Sequence, residues 1–301
     1  MSSNTLQFDI DGELSKALKY HRSGQLEKAE RICKNILEIT PHHSASWHVL
    51  GIIAHETGKN DAAANHIKKA IENDPQNPFL YNNLGMVLQK QGKLNQAIRC
   101  YQNAVQLNPH IAGVYYNMGN TLRDQGKSDE AISCYQKTLQ LKPDYAEAYN
   151  NMGGALHDQG KLDEAVSCYQ KALQLKPGIA EAHNNMGIAF QDEGKSDEAI
   201  SCYQKALEID PSHAEAYKNM GDAFQDQGKS DEAISCYQKA LEIEPDPGID
   251  VKRCLLLPVI CRSNVSIQKY RKQIIEQIES LQNSSLRLKD PYHSCPKTVL
   301  G

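Results

Sequence analysis

Apolar and small residues return along the chain at the spacing of short amphipathic helices, and residues 146–179 show the pattern well. Their first half holds one helical face at i, i+3, i+4 and i+7: Tyr149, Met152, Gly153 and Leu156. Gly160 breaks this spacing, and the acidic pair Asp163 and Glu164 then suits the first turn of a new helix, because negative charge there complements the helix dipole. Three more residues keep helical spacing before Pro177 ends the run: Ala165, Tyr169 and Ala172. The pattern predicts two helices joined by a turn.

The same 34-residue pattern is present seven times, without insertion or deletion, between residues 10 and 247. Prolines keep the step at Pro41, Pro75, Pro109, Pro143, Pro177, Pro211 and Pro245. Glycines keep it at Gly24, Gly58, Gly92, Gly126, Gly160, Gly194 and Gly228. After a short tail, 1–9, the copies are 10–43, 44–77, 78–111, 112–145, 146–179, 180–213 and 214–247. Seven helix pairs in series predict an all-α fold in which each pair packs on the next.

A few positions in the copies after the first resemble a known family, whereas the first copy has Glu13, Lys16 and Ala17 in place of the aromatic, Leu and Gly. In residues 146–179 the family's aromatic, small, aromatic and proline positions are, in order, Tyr149, Gly153, Tyr169 and Pro177. With these residues the chain resembles the tetratricopeptide repeat (TPR) family over about four fifths of its length. The resemblance implies a right-handed superhelical α-solenoid of about seven helix-turn-helix repeats with a C-terminal capping helix.

The composition is consistent with such a stack. There are 14 tyrosines against four phenylalanines and one tryptophan. Many of them share one repeat position: Tyr101, Tyr135, Tyr169, Tyr203 and Tyr237. Their helical spacing predicts packing residues rather than a platform for nucleic-acid bases. The net charge of -4 gives no reason to expect nucleic acid or an anionic membrane as a partner.

Cysteine and histidine offer no metal or cofactor site. Five of the nine cysteines share one repeat position: Cys100, Cys134, Cys168, Cys202 and Cys236. Successive copies lie about 10 Å apart, beyond the ~7 Å that a disulfide spans between Cα atoms. His48 and His55 are about 10.5 Å apart along one helix, too far to share a metal. We expect free thiols, no metal and no cofactor.

The ends of the chain predict a cytoplasmic location. Residues 1–20 lack the apolar core of a secretory signal. The longest apolar stretch, 251–261, falls well short of the ~20 residues of a membrane-spanning helix. We therefore expect no membrane insertion.

Two polar positions recur on the first helices of the later pairs, and first helices line the concave face of a solenoid. Position six, counted from the start of a copy, carries Asn83, Asn117, Asn151, Asn185 and Asn219. Position thirteen carries Asp124, Asp158, Asp192 and Asp226. The asparagine ladder starts at the third copy, because the second has Val49 at position six, and Lys90 is the exception at position thirteen. A ladder of amides can hold the backbone of an extended peptide, because each amide offers a donor and an acceptor. The acids would favour Lys, Arg or hydroxyl side chains on the ligand.

A different interpretation assigns these residues no role in binding. The asparagines would cap or bridge adjacent helices, and the acids would be ordinary solvated helix surface. Duplicated sequence repeats neutral residues as well as functional ones, so repetition alone does not decide between the two interpretations.

The asparagine ladder is also similar to the inner surface of O-GlcNAc transferase and the SPINDLY-type glycosyltransferases. That resemblance implies contacts between the position-six asparagines and a substrate backbone. A chaperone-type carboxylate clamp is disfavoured, because Lys218 is the lone basic residue at inward positions two, five and six of the six regular copies, which are those after the first.

The repeats end at residue 247. We expect a capping helical segment at 248–283 and a loop or linker at 284–301. The stretches 255–260 and 288–291 resemble the segment that joins repeats to catalytic domain in SPINDLY-type enzymes. No Gly-rich nucleotide-binding turn follows, so we expect no enzymatic activity from this chain.

Three functions follow from these patterns. The first is a protein-interaction scaffold that binds extended polypeptide in its groove. The second is the substrate-recognition arm of a SPINDLY-like glycosyltransferase. The third is self-association through the end repeats, which predicts a concentration-dependent size in light scattering.

Overall fold

The computed structural model describes residues 9–255, without the side chains of residues 247, 251, 254 and 255. These residues form fifteen helices and no strand. The helices are α1 Ile10–Arg22, α2 Leu26–Ile39, α3 Ser44–Glu56, α4 Asn60–Asn73, α5 Pro78–Lys90, α6 Leu94–Leu107, α7 Ala112–Asp124, α8 Ser128–Leu141, α9 Ala146–Asp158, α10 Leu162–Leu175, α11 Ala180–Asp192, α12 Ser196–Ile209, α13 Ala214–Asp226, α14 Ser230–Ile243 and α15 Pro247–Leu255. The prediction of an all-α fold built from helix pairs is confirmed.

A glycine ends the first helix of every pair in the same way. In the fourth repeat, Gly126 has φ 75°, a left-handed conformation that costs a glycine little because it has no Cβ. Its N–H donates to the carbonyl of Arg123, and the N–H of Lys127 donates to that of Leu122. This pair of bonds satisfies carbonyls that the helix end would leave without partners. All seven turn glycines have φ between 71° and 76°.

Within a pair, a buried tyrosine packs against a glycine of the first helix. Tyr135 is fully buried, and a Cβ added to Gly119 would lie 2.7 Å from its ring. Tyr203 belongs to a buried cluster with Met220 and Ala223 of the following repeat. The tyrosines at this position are therefore packing residues, as their spacing predicts.

The chain divides into two compact units, Met1–Ala155 and Leu156–Gly301. In each unit consecutive helix pairs pack on one another, which is the arrangement of an α-solenoid. In the first unit α1, α3, α5 and α7 also contact one another in sequence, and α11 contacts α13 in the second. No two consecutive second helices of the described residues make comparable contact. The first helices therefore lie on the inside of the curve in each unit.

The described residues end with α15, which packs on α14. Ile249 is buried in a cluster with Ala233, Tyr237 and Ala240. Lys252 Nζ lies 2.8 Å from Asp222 Oδ1 of α13. This helix takes the place that the first helix of a further repeat would occupy. Three predicted segments lie wholly or partly outside the described residues: 1–8 of the tail 1–9, 256–283 of the capping segment, and the linker 284–301. None of the described helices is long and apolar enough to cross a membrane.

Candidate functional site

The position-six asparagines lie on the inner face of the first helices and are half-buried. Asn117 Nδ2 donates to Asn82 Oδ1 over 3.0 Å, and Asn219 Nδ2 donates to Asn184 Oδ1 over 3.1 Å. The acceptor is in each case the position-five residue of the preceding repeat, 35 residues earlier. The amide nitrogens thus bridge adjacent repeats, as one of the two interpretations of the sequence predicts.

In the first unit these bonds form a directed chain that ends on a histidine. Asn82 Nδ2 donates to Asn83 Oδ1 (3.1 Å), and Asn83 Nδ2 lies 2.7 Å from His48 Nε2. Burial lowers the pKa of His48, which favours the neutral ring with an acceptor nitrogen. The direction of the chain then requires Asn117 to turn its Nδ2 toward Asn82 and its oxygen away.

The remaining asparagines hold the same position with other partners. Asn151 Nδ2 donates to Asn120 Oδ1 (2.9 Å) and to the hydroxyl of Tyr116 (3.0 Å), while its own oxygen accepts from Asn150 (3.2 Å). Asn185 occupies the equivalent place on α11 and is half-buried.

Two of the asparagine oxygens differ from their nitrogens in having no hydrogen-bond partner among the described residues. Within the described residues, Asn117 Oδ1 and Asn219 Oδ1 accept no hydrogen bond. Because the nitrogen of each amide is held by the preceding repeat, the orientation of the oxygen is set before any ligand arrives. Each can accept one N–H from a bound backbone.

The position-thirteen acids are exposed and are tied to the preceding repeat. Gln89 Nε2 donates to Asp124 Oδ2, and Gln191 Nε2 donates to Asp226 Oδ2, both over 2.9 Å. His157 Nε2 lies 2.7 Å from Asp192 Oδ2. Asp158, at the same position of α9, is exposed.

The position-twelve residues that hold these acids are missed by the sequence analysis. Tyr203 donates its hydroxyl to Gln191 Oε1 (2.9 Å), and Tyr101 donates to Gln89 Oε1 (3.4 Å). A buried tyrosine therefore holds a glutamine, and that glutamine holds the aspartate of the next repeat. The presence of glutamine at this position in three of the seven repeats, at Gln89, Gln191 and Gln225, is the signal that could have revealed it.

Metal and thiol chemistry have little support in the described part of the chain. It contains no group of three or more His, Cys, Asp or Glu residues that could hold a metal ion. The six cysteines whose side chains the structure describes are free thiols. Burial raises the pKa of Cys134 and Cys202 to about 11, so these thiols are protonated and poorly reactive at neutral pH.

Family models decide the classification of these repeats. A tetratricopeptide repeat model matches residues 78–144, 110–177, 144–212 and 178–245, which together exceed half of the chain. A second TPR repeat model matches residues 51–92. The chain belongs to the tetratricopeptide repeat family. TPR proteins are protein-binding scaffolds, and this chain shares their architecture.

Solved structures include several similar TPR folds. YrrB, described as a TPR protein with an unusual peptide-binding site, is 27% identical with a TM-score of 0.50, over 63% of this chain and 98% of that chain. The Cut9–Hcn1 hetero-tetramer of the APC/C is 20% identical with a TM-score of 0.66, over 82% of this chain and 48% of that chain. A TPR protein from Parabacteroides merdae is 17% identical with a TM-score of 0.66, over 81% of this chain and 96% of that chain. The last two likenesses concern the fold alone.

Comparison with curated proteins gives no match. The tail stretches that resemble SPINDLY-type glycosyltransferases, 255–260 and 288–291, lie beyond the described residues except for the backbone of Leu255. A role as the recognition arm of such an enzyme, a cytoplasmic location and self-association through the end repeats stay predictions.

Proposed function

We propose that this TPR chain is a scaffold in which each unit binds an extended polypeptide segment across the inner face of its own first helices. The observation that carries the proposal is the fixed orientation of Asn117 and Asn219, whose oxygens accept no bond in the described residues. The peptide-binding TPR neighbour YrrB supports the same class of ligand.

The spacing of the repeats suits an extended ligand. Packed helices lie roughly 8–10 Å apart, and an extended chain advances about 3.3 Å per residue. About three residues therefore pass each repeat. Because successive N–H groups of an extended chain face opposite sides, an N–H faces the same side again at every second repeat, after about six residues. Backbone contacts of this kind bind many sequences, since every residue except proline carries the same N–H.

The acids at position thirteen supply a preference among those sequences. Asp124 and Asp226 are exposed and held in place by Gln89 and Gln191. A carboxylate held by an uncharged glutamine keeps its negative charge uncompensated, so it attracts a cation or a hydroxyl donor. We expect Lys, Arg, Ser or Thr on the ligand where it passes these repeats.

The asparagine contribution is tested by a matched pair of double variants. Peptides are first selected on the wild-type chain from a random nine-residue library, whose members span about three repeats when extended. Their affinities are then measured by fluorescence polarisation. Replacing both Asn117 and Asn219 by Ala removes the one oriented oxygen of each unit. A peptide bound to either unit then loses one hydrogen bond, worth ~0.5–1.5 kcal/mol, so we expect its affinity to fall about two- to tenfold.

The control replaces both Asn82 and Asn184 by Ala. This removes the acceptors of the inter-repeat bonds but keeps the oxygens of Asn117 and Asn219, so a smaller loss is expected. Circular dichroism checks that both variants remain folded. Equal affinity of the wild type and the Asn117/Asn219 variant would remove the ladder from the mechanism.

A further inference from the structure

Helix α5 differs from the other first helices on its inner face. Phe79 at position two is 56% exposed, and Met86 at position nine is 39% exposed. The other regular repeats have small or acidic residues at position two: Ala45, Gly113, Glu147, Glu181 and Glu215. At position thirteen α5 has Lys90, where they have an acid: Glu56, Asp124, Asp158, Asp192 and Asp226.

These unusual residues lie on one stripe. Phe79, Asn83, Met86 and Lys90, which we call the α5 stripe, are spaced by four, three and four residues and so share one helical face. The opposite face is the buried one, with Leu80, Leu84, Val87 and Leu88. The packing of α5 therefore does not require Phe79 or Met86 to be apolar.

The apolar part of the stripe lies beside the asparagine chain. Asn82 Nδ2 is 3.5 Å from Met86 Sδ, and the same amide donates to Asn83 Oδ1. Asn117, whose oxygen has no hydrogen-bond partner among the described residues, donates to Asn82. A backbone held by Asn117 would therefore pass within reach of the Met86 side chain, and a thioether adapts readily to differently shaped apolar partners.

Lys90 supplies a charge of the opposite sign to the rest of the inner face. It is exposed, and within the described residues it makes no ion pair. Its neighbour Gln89 is occupied with Asp124. An exposed ammonium beside a binding face favours a carboxylate on the ligand and disfavours a cation.

The distance between Met86 and Lys90 suggests the spacing of the ligand residues. Four residues of helix rise about 6 Å, and alternate side chains on one face of an extended strand are about 6.6–6.8 Å apart. A ligand with a bulky apolar residue and an acidic residue two positions away would therefore place the apolar side chain at Met86 and the acidic side chain at Lys90.

We infer that the α5 stripe recognises, in a bound extended segment, a bulky apolar side chain and an acidic side chain two residues from it. This inference rests on the proposed function and assigns a sequence preference to one part of the same face. The preference for an acidic ligand residue at α5 is the opposite of the preference for Lys or Arg that we expect at the repeats with an acid at position thirteen.

Selection from the random nine-residue library tests the inference directly on the full chain. Wild-type protein is expected to enrich peptides with an apolar–x–acidic pattern. The variant Lys90→Glu is expected to exchange the acidic preference for Lys or Arg. Replacing both Phe79 and Met86 by Gln is expected to abolish the apolar preference and to lower the affinity of wild-type-selected peptides about tenfold.

Matched controls come from the second helices. Ile39 on α2 is 56% exposed, as Phe79 is, and Lys68 on α4 is an exposed lysine. Ile39→Gln and Lys68→Glu should leave the selected pattern unchanged. A pattern that also changes in these controls, or that persists in the α5 variants, would overturn the inference.

Two results separate this inference from the proposed function. Enriched peptides that depend on Asn117 and Asn219 but lack the apolar–x–acidic pattern would overturn the α5 inference alone. Failure of the wild type to enrich any peptide would overturn both. Enrichment of the pattern that is lost in the α5 variants, with normal circular dichroism, would support both.

Discussion

His48 shows how one half-buried side chain can order several others. Its Nε2 accepts from Asn83, so the direction of every bond back to Asn117 depends on the histidine being neutral. Burial supports that state by lowering the pKa of His48. A protonated ring would present a donor where an acceptor is needed, and the chain of amides would lose its end point.

Stability is therefore expected to depend on pH through His48. The folded pKa lies below the ordinary 6.5 of the unfolded chain, so the unfolded state binds more protons as the pH falls through this value. The free energy of unfolding should be at its full value above about pH 7 and should decrease toward pH 5. Urea denaturation at pH 7.5 and pH 5.5 measures it. His48→Gln should reduce this pH dependence, and an unchanged dependence would contradict the assignment.

A second prediction at the residue scale compares Gly119 with Gly113, which lies on the same helix, α7. A Cβ on Gly119 would meet Tyr135 at 2.7 Å, whereas one on Gly113 has nothing within 4 Å. Gly119→Ala should lower the free energy of unfolding by roughly 1–3 kcal/mol, because the ring must move. Gly113→Ala should raise it by up to about 1 kcal/mol, because alanine favours the helix. Thermal or urea unfolding distinguishes the two signs.

At the scale of the helix, the first and second members of a pair are joined by more than apolar packing. Tyr203 reaches from α12 to Gln191 on α11, and Gln191 reaches on to Asp226 on α13. Three helices of two repeats thus share one line of hydrogen bonds. Burial raises the pKa of Tyr203, so its hydroxyl remains a donor at neutral pH.

Removing this hydroxyl should lower the free energy of unfolding by an amount that depends on the length of its hydrogen bond. Tyr203→Phe is expected to lower the free energy of unfolding by about 0.5–1.5 kcal/mol, because it leaves the glutamine oxygen without its buried donor. Tyr101→Phe should cost less, since the equivalent bond is 3.4 Å long against 2.9 Å. Urea denaturation of the two variants compares them, and an equal or reversed order would show that the hydroxyl bond is not the source of the difference.

The prediction of helices and turns succeeded because the information is local. A turn glycine such as Gly126, helical apolar spacing and an acidic first turn act within a few residues of one another. The partners of the site residues are 12, 31 or 35 residues apart in sequence, as in Asn151 with Asn120 or Asp124 with Gln89. Periodicity shows that such residues recur, but their contacts depend on how one pair stacks on the next.

At the scale of the molecule, stability is distributed along the stack rather than concentrated in one core. Among the described residues every extensive helix contact joins helices of the same repeat or of adjacent repeats. In such an arrangement the free energy is a sum of local terms, and a perturbation should remain near its origin.

Helix α15 offers a test of this locality. Ile249 is buried against α14, whereas Ile243 at the end of α14 is exposed. Ile249→Gln should remove roughly 2 kcal/mol or more of packing, and should speed hydrogen exchange in α14 while leaving α1–α8 unchanged. Ile243→Gln should change little. Faster exchange throughout α1–α8 in the Ile249 variant would show that the chain unfolds as one cooperative unit.

The sequence by itself determined the helix pairs, the turn glycines and the buried tyrosines, because each of these depends on spacing within a single 34-residue repeat. It also showed which polar residues recur, without deciding between ligand binding and bridging. Only the tertiary structure decided that the nitrogens of Asn117 and Asn219 bridge repeats while their oxygens accept no bond from the residues that the structure describes. The physical reason is that a hydrogen bond between residues 35 positions apart exists only once neighbouring repeats have packed together.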